Sequence, residues 1–199
     1  LTAGALARRL GVDLPSDSTR AKGKVGELVE RALGATAGSQ DQPDFPALGV
    51  ELKTIPMDAL GRVRESTFVC AIDLDTVEQE EWEGSRVLRK LRRVLWIPVA
   101  AAPGADPGSR LLGRAQIWSP SAEQEEILRD DWHLLMGEIA VGGVEQVSAH
   151  MGQCLQVRPK AANAAVRVEM TTSRGIIRTR PCGFYLRARF TAALLWDQE

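Results

Sequence analysis

The run Val94 to Ala102, VLWIPVAAA, is the longest apolar stretch in the chain, and Pro98 interrupts it. Its nine residues fall far short of the roughly 20 that a bilayer-spanning helix needs. A short β-branched run of this kind predicts a buried strand, Val94 to Val99, and no membrane association is expected. At 199 residues, 44% apolar and 26% charged, the chain is expected to form one domain, or two small lobes sharing a core, and not a disordered tail. Arg8 and Arg9 stand near the N-terminus with no apolar leader core, so no signal peptide is expected. Three widely spaced cysteines, Cys70, Cys154 and Cys182, fit reduced thiols and a cytoplasmic location. With only His133 and His150 and no CxxC, no zinc site is expected, and any metal is expected to be held by oxygen.

Around that strand the elements follow one another without regular βαβ alternation. Val25, Leu28, Val29, Ala32 and Leu33 recur at helical spacing, and Gly34 is placed to end that helix. Residues 35–46 read as a loop, Gly49 to Ile55 as a strand closed by Pro56, and Phe68 to Leu74 as a short strand. A basic helix is predicted from Ser85 to Arg93, and a strand near Ala115 to Trp118. Ser119 is then expected to cap a helix with Pro120 at its first position, Leu128, Trp132, Leu135 and Ile139 as its buried stripe, and Gly142-Gly143 as its end. Strands near Gln153 to Val157 and Ile176 to Thr179 and a C-terminal helix ending at Trp196 complete the reading. The class this predicts is α+β.

Net charge is −1, yet it is unevenly spread. Between Met151 and Thr191 eight basic residues face one acid, and Arg86, Arg89, Lys90, Arg92 and Arg93 form a second basic cluster in an otherwise acidic part. Such asymmetry fits a polyanion groove on an acidic body, and equally a solvated face with unrelated charges.

The stretch most informative about chemistry is Asp44 to Pro56, DFPALGVELKTIP. Side chains alternate along a strand, so Glu51 and Lys53 share one face, while Val50, Leu52 and Thr54 take the other. Asp44 precedes the strand by enough chain to curl back toward Glu51. Asp44 and Glu51 beside an ammonium make a site for a hard divalent cation, with Mg²⁺ the expected occupant. Lys53 would orient or help deprotonate a water, or stabilise charge on a phosphate. Glu30, nearer the edge of the apolar stripe than Glu27, is a further carboxylate for this shell. An acid and a lysine two apart also occur on plain solvated strands, and Glu30 on plain helix surfaces.

DFPALGVELKTIP, preceded by KGKVGELVERALGATAGS and followed by RKLRRVLWIPV, LLMGEIAVG, LQVRPKAANA and GFYLRARFTAALL, resembles the MutH family, the methyl-directed endonucleases of bacterial mismatch repair. The resemblance runs in order from about Ala21 to Leu195. It implies a restriction-endonuclease-like core, a central mixed sheet flanked by helices, in two lobes forming a DNA cleft. A catalytic lobe is expected over about 20–120 and a recognition lobe over 121–199 with part of the N-terminus. By position, Asp44, Glu51 and Lys53 match the catalytic acid, acid and lysine, Glu30 a helix-borne active-site carboxylate, and Lys90 a lysine near the scissile phosphate. Lys22 matches a DNA-contacting lysine; Arg158, Pro159 and Lys160 match the recognition loop; Tyr185, the only tyrosine, matches the residue beside the adenine whose methylation is sensed.

The resemblance further implies a Mg²⁺ requirement (with Mn²⁺ able to substitute), nicking of the unmethylated strand of hemimethylated GATC sites in double-stranded DNA 5′ to the G, and activation by MutL; the small size and the lack of an obvious extra module favour a monomer. Residues 167–179 diverge from the family pattern. A non-catalytic reader of GATC methylation and a restriction enzyme making double-strand breaks remain the rival classes.

Overall fold

The computed structural model describes residues 1–16, 23–38, 41–102, 104–147, 150–160, 163, 165–172 and 175–196. The chain divides into two compact units, the first comprising Leu1–Glu65, Arg92–Ser119 and Ala192–Glu199, the second Ser66–Leu91 and Pro120–Thr191.

The first unit is built on a mixed four-stranded sheet. Strand β1 (Glu51–Met57) pairs in parallel with β3 (Val94–Ala100), in register from Glu51 opposite Val94 to Met57 opposite Ala100. On its other side β3 pairs antiparallel with β5 (Gln116–Trp118) and β4 (Leu111–Leu112). The buried strand expected from the apolar run is therefore the centre of this sheet. Pro98 is tolerated there because it falls between Trp96, the last partner of β5, and Val99, the first partner of β4. Its carbonyl accepts from the Gly113 amide at 2.8 Å, so the missing N–H faces the gap between those two ladders. Gly113 suits that close approach, since a Cβ there would lie 3.1 Å from the proline ring.

The first strand does not close at Pro56 as expected; it continues to Met57. Among the described residues β1 has β3 as its one neighbour in the sheet, and an edge strand accepts a residue without an N–H. Helix α2 (Lys24–Leu33) matches the predicted helix, with Gly34 at φ 76° ending it. Its Val25 and Leu28 pack with Ala3, Ala7 and Val99. Ala3 and Ala7 belong to α1 (Ala3–Leu10), which the sequence reading passed over. Thr2 caps it by accepting from the Ala5 amide at 3.1 Å, and Gly11 ends it in the left-handed conformation.

In the second unit a three-stranded antiparallel sheet runs β2 (Thr67–Ala71), β9 (Cys182–Leu186), β6 (Leu155–Pro159), beside a hairpin of β7 (Val168–Thr172) and β8 (Gly175–Thr179). The central strand, β9, was not anticipated. Helix α3 (Arg86–Leu91) is shorter than the expected basic helix, and the Ser85 hydroxyl accepts from the Leu88 amide to start it. Helix α4 (Ala122–Ala140) buries the predicted stripe Leu128, Trp132, Leu135 and Ile139. It begins two residues later than expected. Ser121 and Gln124 form a reciprocal capping box, which leaves Pro120 outside the helix. Trp132 meets Trp82 edge-on at 5.9 Å. Helix α5 (Ala188–Trp196) begins in the second unit and ends in the first. Among the described residues no helix is long and apolar enough to cross a membrane.

Candidate active site and nucleic-acid interface

Asp44 reaches β1 through a small closed loop. Phe45 and Val50 exchange backbone hydrogen bonds (2.9 and 3.3 Å) around a 3-10 turn at Pro46–Leu48, and Gly49 turns the chain at φ 62°. The loop is also tied to the end of α2, because the Thr36 amide donates to the Asp44 carbonyl at 3.0 Å. This folding sets the buried Asp44 carboxylate against the strand, where Oδ2 accepts the Leu52 amide at 2.8 Å. Beside it the Glu51 amide donates to the Arg93 carbonyl at 2.9 Å, which fixes the strand's register against β3.

Glu51 is not on a solvated face: it is 3% exposed. Its Oε1 accepts from Lys53 Nζ at 2.7 Å, an ion pair shielded on both sides. Burying two such charges is costly unless each finds partners, so the pair is weak as a stability device and more informative as a chemical one. Glu30 on α2 is half-buried, whereas Glu27 one turn earlier is exposed. The Glu30 carboxyl is pushed above the usual carboxylate range, first by burial, then by the charges of Asp44 and Glu27, with Lys53 pulling it back and Glu51 adding to the rise. Three carboxylates and one ammonium thus share a field, and one proton is held more tightly than solution chemistry would hold it.

Among the described residues no cage of three or more His, Cys, Asp or Glu side chains capable of holding a metal is present. Two hard oxygen donors, Asp44 and Glu51, suit a cation that keeps several waters and takes one or two carboxylates plus phosphate oxygens, which is the habit of Mg²⁺. The donor set therefore fits that ion.

A second group of expected residues gathers in the second unit. Arg158 and Pro159 end β6, with Arg158 opposite Gly183 and Pro159 opposite Cys182 of β9; the Lys160 amide donates to the Pro181 carbonyl at 2.7 Å. The Arg158 guanidinium lies over the Tyr185 ring at 5.7 Å and donates to the Ser66 hydroxyl at 2.7 Å. Lys160 Nζ stands 3.4 Å above the centre of Phe68, and Phe68 meets Tyr185 edge-on at 5.2 Å. Burial raises the Tyr185 hydroxyl's pKa, and Arg158 partly offsets the rise.

Phe68 and Ser66 had no role in the sequence reading. Phe68 comes to Tyr185 through an irregularity in β2 between Phe68 and Cys70 and through Gly183, where a Cβ would lie 2.9 Å from the Phe68 ring. Asp131 is a further unanticipated residue. From inside α4 its buried carboxylate accepts the amides of Gln153, Cys154 and Leu155 at 2.7, 2.6 and 2.8 Å, anchoring the start of the strand that carries Arg158. These bonds also explain why β6 begins at Leu155 and not at Gln153. Lys90 lies on α3 in the second unit, half-buried, and Lys22 lies outside the described residues.

A mixed sheet flanked by helices, with an acid and a lysine on its edge strand and a second acid in the loop before it, is the restriction-endonuclease-like fold. Residues 33–131 match the family model described as DNA mismatch repair enzyme MutH. The chain is 49% identical over 195 residues to the DNA mismatch repair protein MutH of Escherichia coli O6:K15:H31, covering 98% of this chain and 85% of that protein. It is likewise 49% identical over 195 residues to the protein of that name from Salmonella paratyphi B, covering 98% and 84%. The chain belongs to the MutH family of DNA mismatch repair enzymes.

Proposed function

We propose that the chain is a Mg²⁺-dependent endonuclease that nicks the unmethylated strand of hemimethylated GATC sites 5′ to the G. In this reading it acts in methyl-directed mismatch repair, as a cytoplasmic monomer activated by MutL. The observation that carries the proposal is the buried Glu51–Lys53 pair beside Asp44, with Glu30 in the same field. Asp44 and Glu51 would hold the cation, which when bound supplies charge neutralisation and a more acidic water.

The chain's own groups do the positioning. Lys53, held at Glu51 Oε1, aims its remaining ammonium protons at an attacking water or at a non-bridging phosphate oxygen. Glu30, half-buried in the same field, would complete the shell around the cation. Lys90 is assigned the developing charge on the phosphate, and Lys22 a contact to the duplex. Arg158 and Lys160 offer fork and point donors for guanine O6 and N7, with Pro159 shaping the loop and Tyr185 meeting the adenine.

The test uses three supercoiled plasmids with a single GATC site (unmethylated, hemimethylated and fully methylated), each with Mg²⁺ and with or without MutL. Nicks confined to the unmethylated strand, strengthened by MutL and missing from the fully methylated plasmid, are expected. Binding without nicking in every arm would make the chain a reader, and linear product without MutL a restriction enzyme.

A further inference from the structure

Immediately after β1 the chain makes a tight turn that the nuclease reading does not use. Met57 and Val63 pair across it, the Asp58 amide donates to the Arg62 carbonyl at 3.1 Å, and Gly61 takes φ 75°. Asp58 is the hub. Its Oδ1 accepts the amides of Leu60 and Arg62, each at 2.9 Å, and its Oδ2 accepts Nε of Arg62 and Nε of Arg64, both at 2.9 Å. Those bonds hold the Asp58 carboxyl far below the usual carboxylate range, so it stays charged at any working pH.

Two guanidinium groups are thereby pinned to one oxygen atom. Like charges drawn that close repel, and one carboxylate balances only one of them. Because each arginine is gripped through Nε, its two terminal nitrogens still form a planar fork, the geometry that matches a phosphate in two parallel hydrogen bonds. Both side chains are more than half exposed, at 55% and 58%. An arginine bound only to stiffen a turn would need no second arginine on the same oxygen. A pre-formed pair of forks with one uncompensated positive charge is a site for an anion.

We propose that Arg62 and Arg64, braced by Asp58, clamp the sugar-phosphate backbone of the DNA that the β1 site cuts. The inference rests on the nuclease reading and adds a sequence-independent contact to it. Position supports a contact close to the cut. Asp58 follows Lys53 by five residue steps, about 17 Å at strand rise, which is on the order of five base pairs along a duplex.

The experiment measures DNA binding by fluorescence anisotropy across a salt series, and nicking at saturating DNA, on the intact chain. Arg64→Gln is the cleaner variant because Arg64 contributes no backbone bond to the turn's hub, and Arg62→Ala follows it. Arg8→Ala, an exposed arginine on α1, removes the same charge elsewhere. Each clamp variant is expected to weaken binding on the order of tenfold. That loss should be equal on GATC and unrelated duplexes, should flatten the slope of log affinity against log salt by about one, and should leave the rate at saturating DNA unchanged. The Arg8 variant is expected to bind like the parent. Parent-like affinity and slope in both clamp variants would overturn the proposal and leave the pair as a turn brace. Failure of the parent itself to bind DNA would instead remove the nuclease reading on which the proposal stands.

Discussion

The edge of β1 and the far end of β6 both present charged side chains, and the chain treats them in opposite ways. At β1, Glu51 and the loop residue Asp44 are buried and each already accepts a hydrogen bond at 2.7–2.8 Å from a residue of that strand. At β6, Arg158 and Lys160 are exposed and rest on the faces of Tyr185 and Phe68. Such cation–π contacts are worth only about 0.5–1 kcal/mol at exposed sites, so they park a side chain without committing it. A buried, hydrogen-bonded carboxylate costs stability but needs little reorganisation when a reaction starts. A cation lying on an aromatic face can leave it for a base edge. The first arrangement suits chemistry and the second suits recognition.

The comparison breaks most directly at Glu51. Glu51→Gln is expected to cut nicking on the order of 1000-fold while DNA affinity in anisotropy stays within about threefold; nicking at the parent rate would overturn the assignment. Next in size is Asp131→Ala, which strands three buried amides. A loss of about 3 kcal/mol should lower the melting temperature by about 10 °C, as scanning calorimetry would show. Arg158→Ala should leave the melting temperature alone. Its expected cost is about 1–3 kcal/mol of discrimination between GATC and a one-base variant, read as the ratio of kcat/KM values; an equal loss on both sequences would reduce Arg158 to a phosphate contact.

The smallest effect concerns Glu30. Its folded pKa lies above the unfolded value, so the folded state binds that proton more tightly. The associated stability is present at acidic pH and is lost as pH rises through the raised value. Glu30→Gln should therefore raise the melting temperature by about 2 °C at pH 7.5 without metal, and by nothing near pH 4, while nicking falls. An equal gain at both pH values would show that burial of the charge is not what Glu30 costs.

What could be read from the sequence was local. The stripe of α4, the helix ended by Gly34 and the central strand broken by Pro98 each follow from periodicity and one punctuating residue. Asp44, Glu51 and Lys53 were legible for the same reason, since ten residues of loop and strand contain all three. The misses were pairings across long separations. β9 is central only because β2 and β6 come to it from far away in the chain, and no periodicity within GFYLR announces that. Phe68 gained its place from an irregularity and a distant glycine. Asp131 took over amides that a strand ladder would have claimed, which shifted β6 by two residues from its expected start. Helix α1 was the exception: Thr2, Gly11 and the spacing Ala3, Leu6, Ala7, Leu10 carried a local signal that went unread.

The outer rim of β1 has a consequence for self-association. The Glu51 amide points to β3, so alternation turns the backbone of Leu52, Thr54 and Pro56 to the open side. The Leu52 donor is covered by Asp44, and Pro56 has no donor to offer. An edge with its first donor masked and its third deleted is a poor template for a strand from another copy, and templating of that kind is how exposed sheet margins usually seed aggregates. The carboxylate assigned to the metal therefore also guards the sheet, and replacing Asp44 by alanine would expose the protein to insolubility as well as to inactivity.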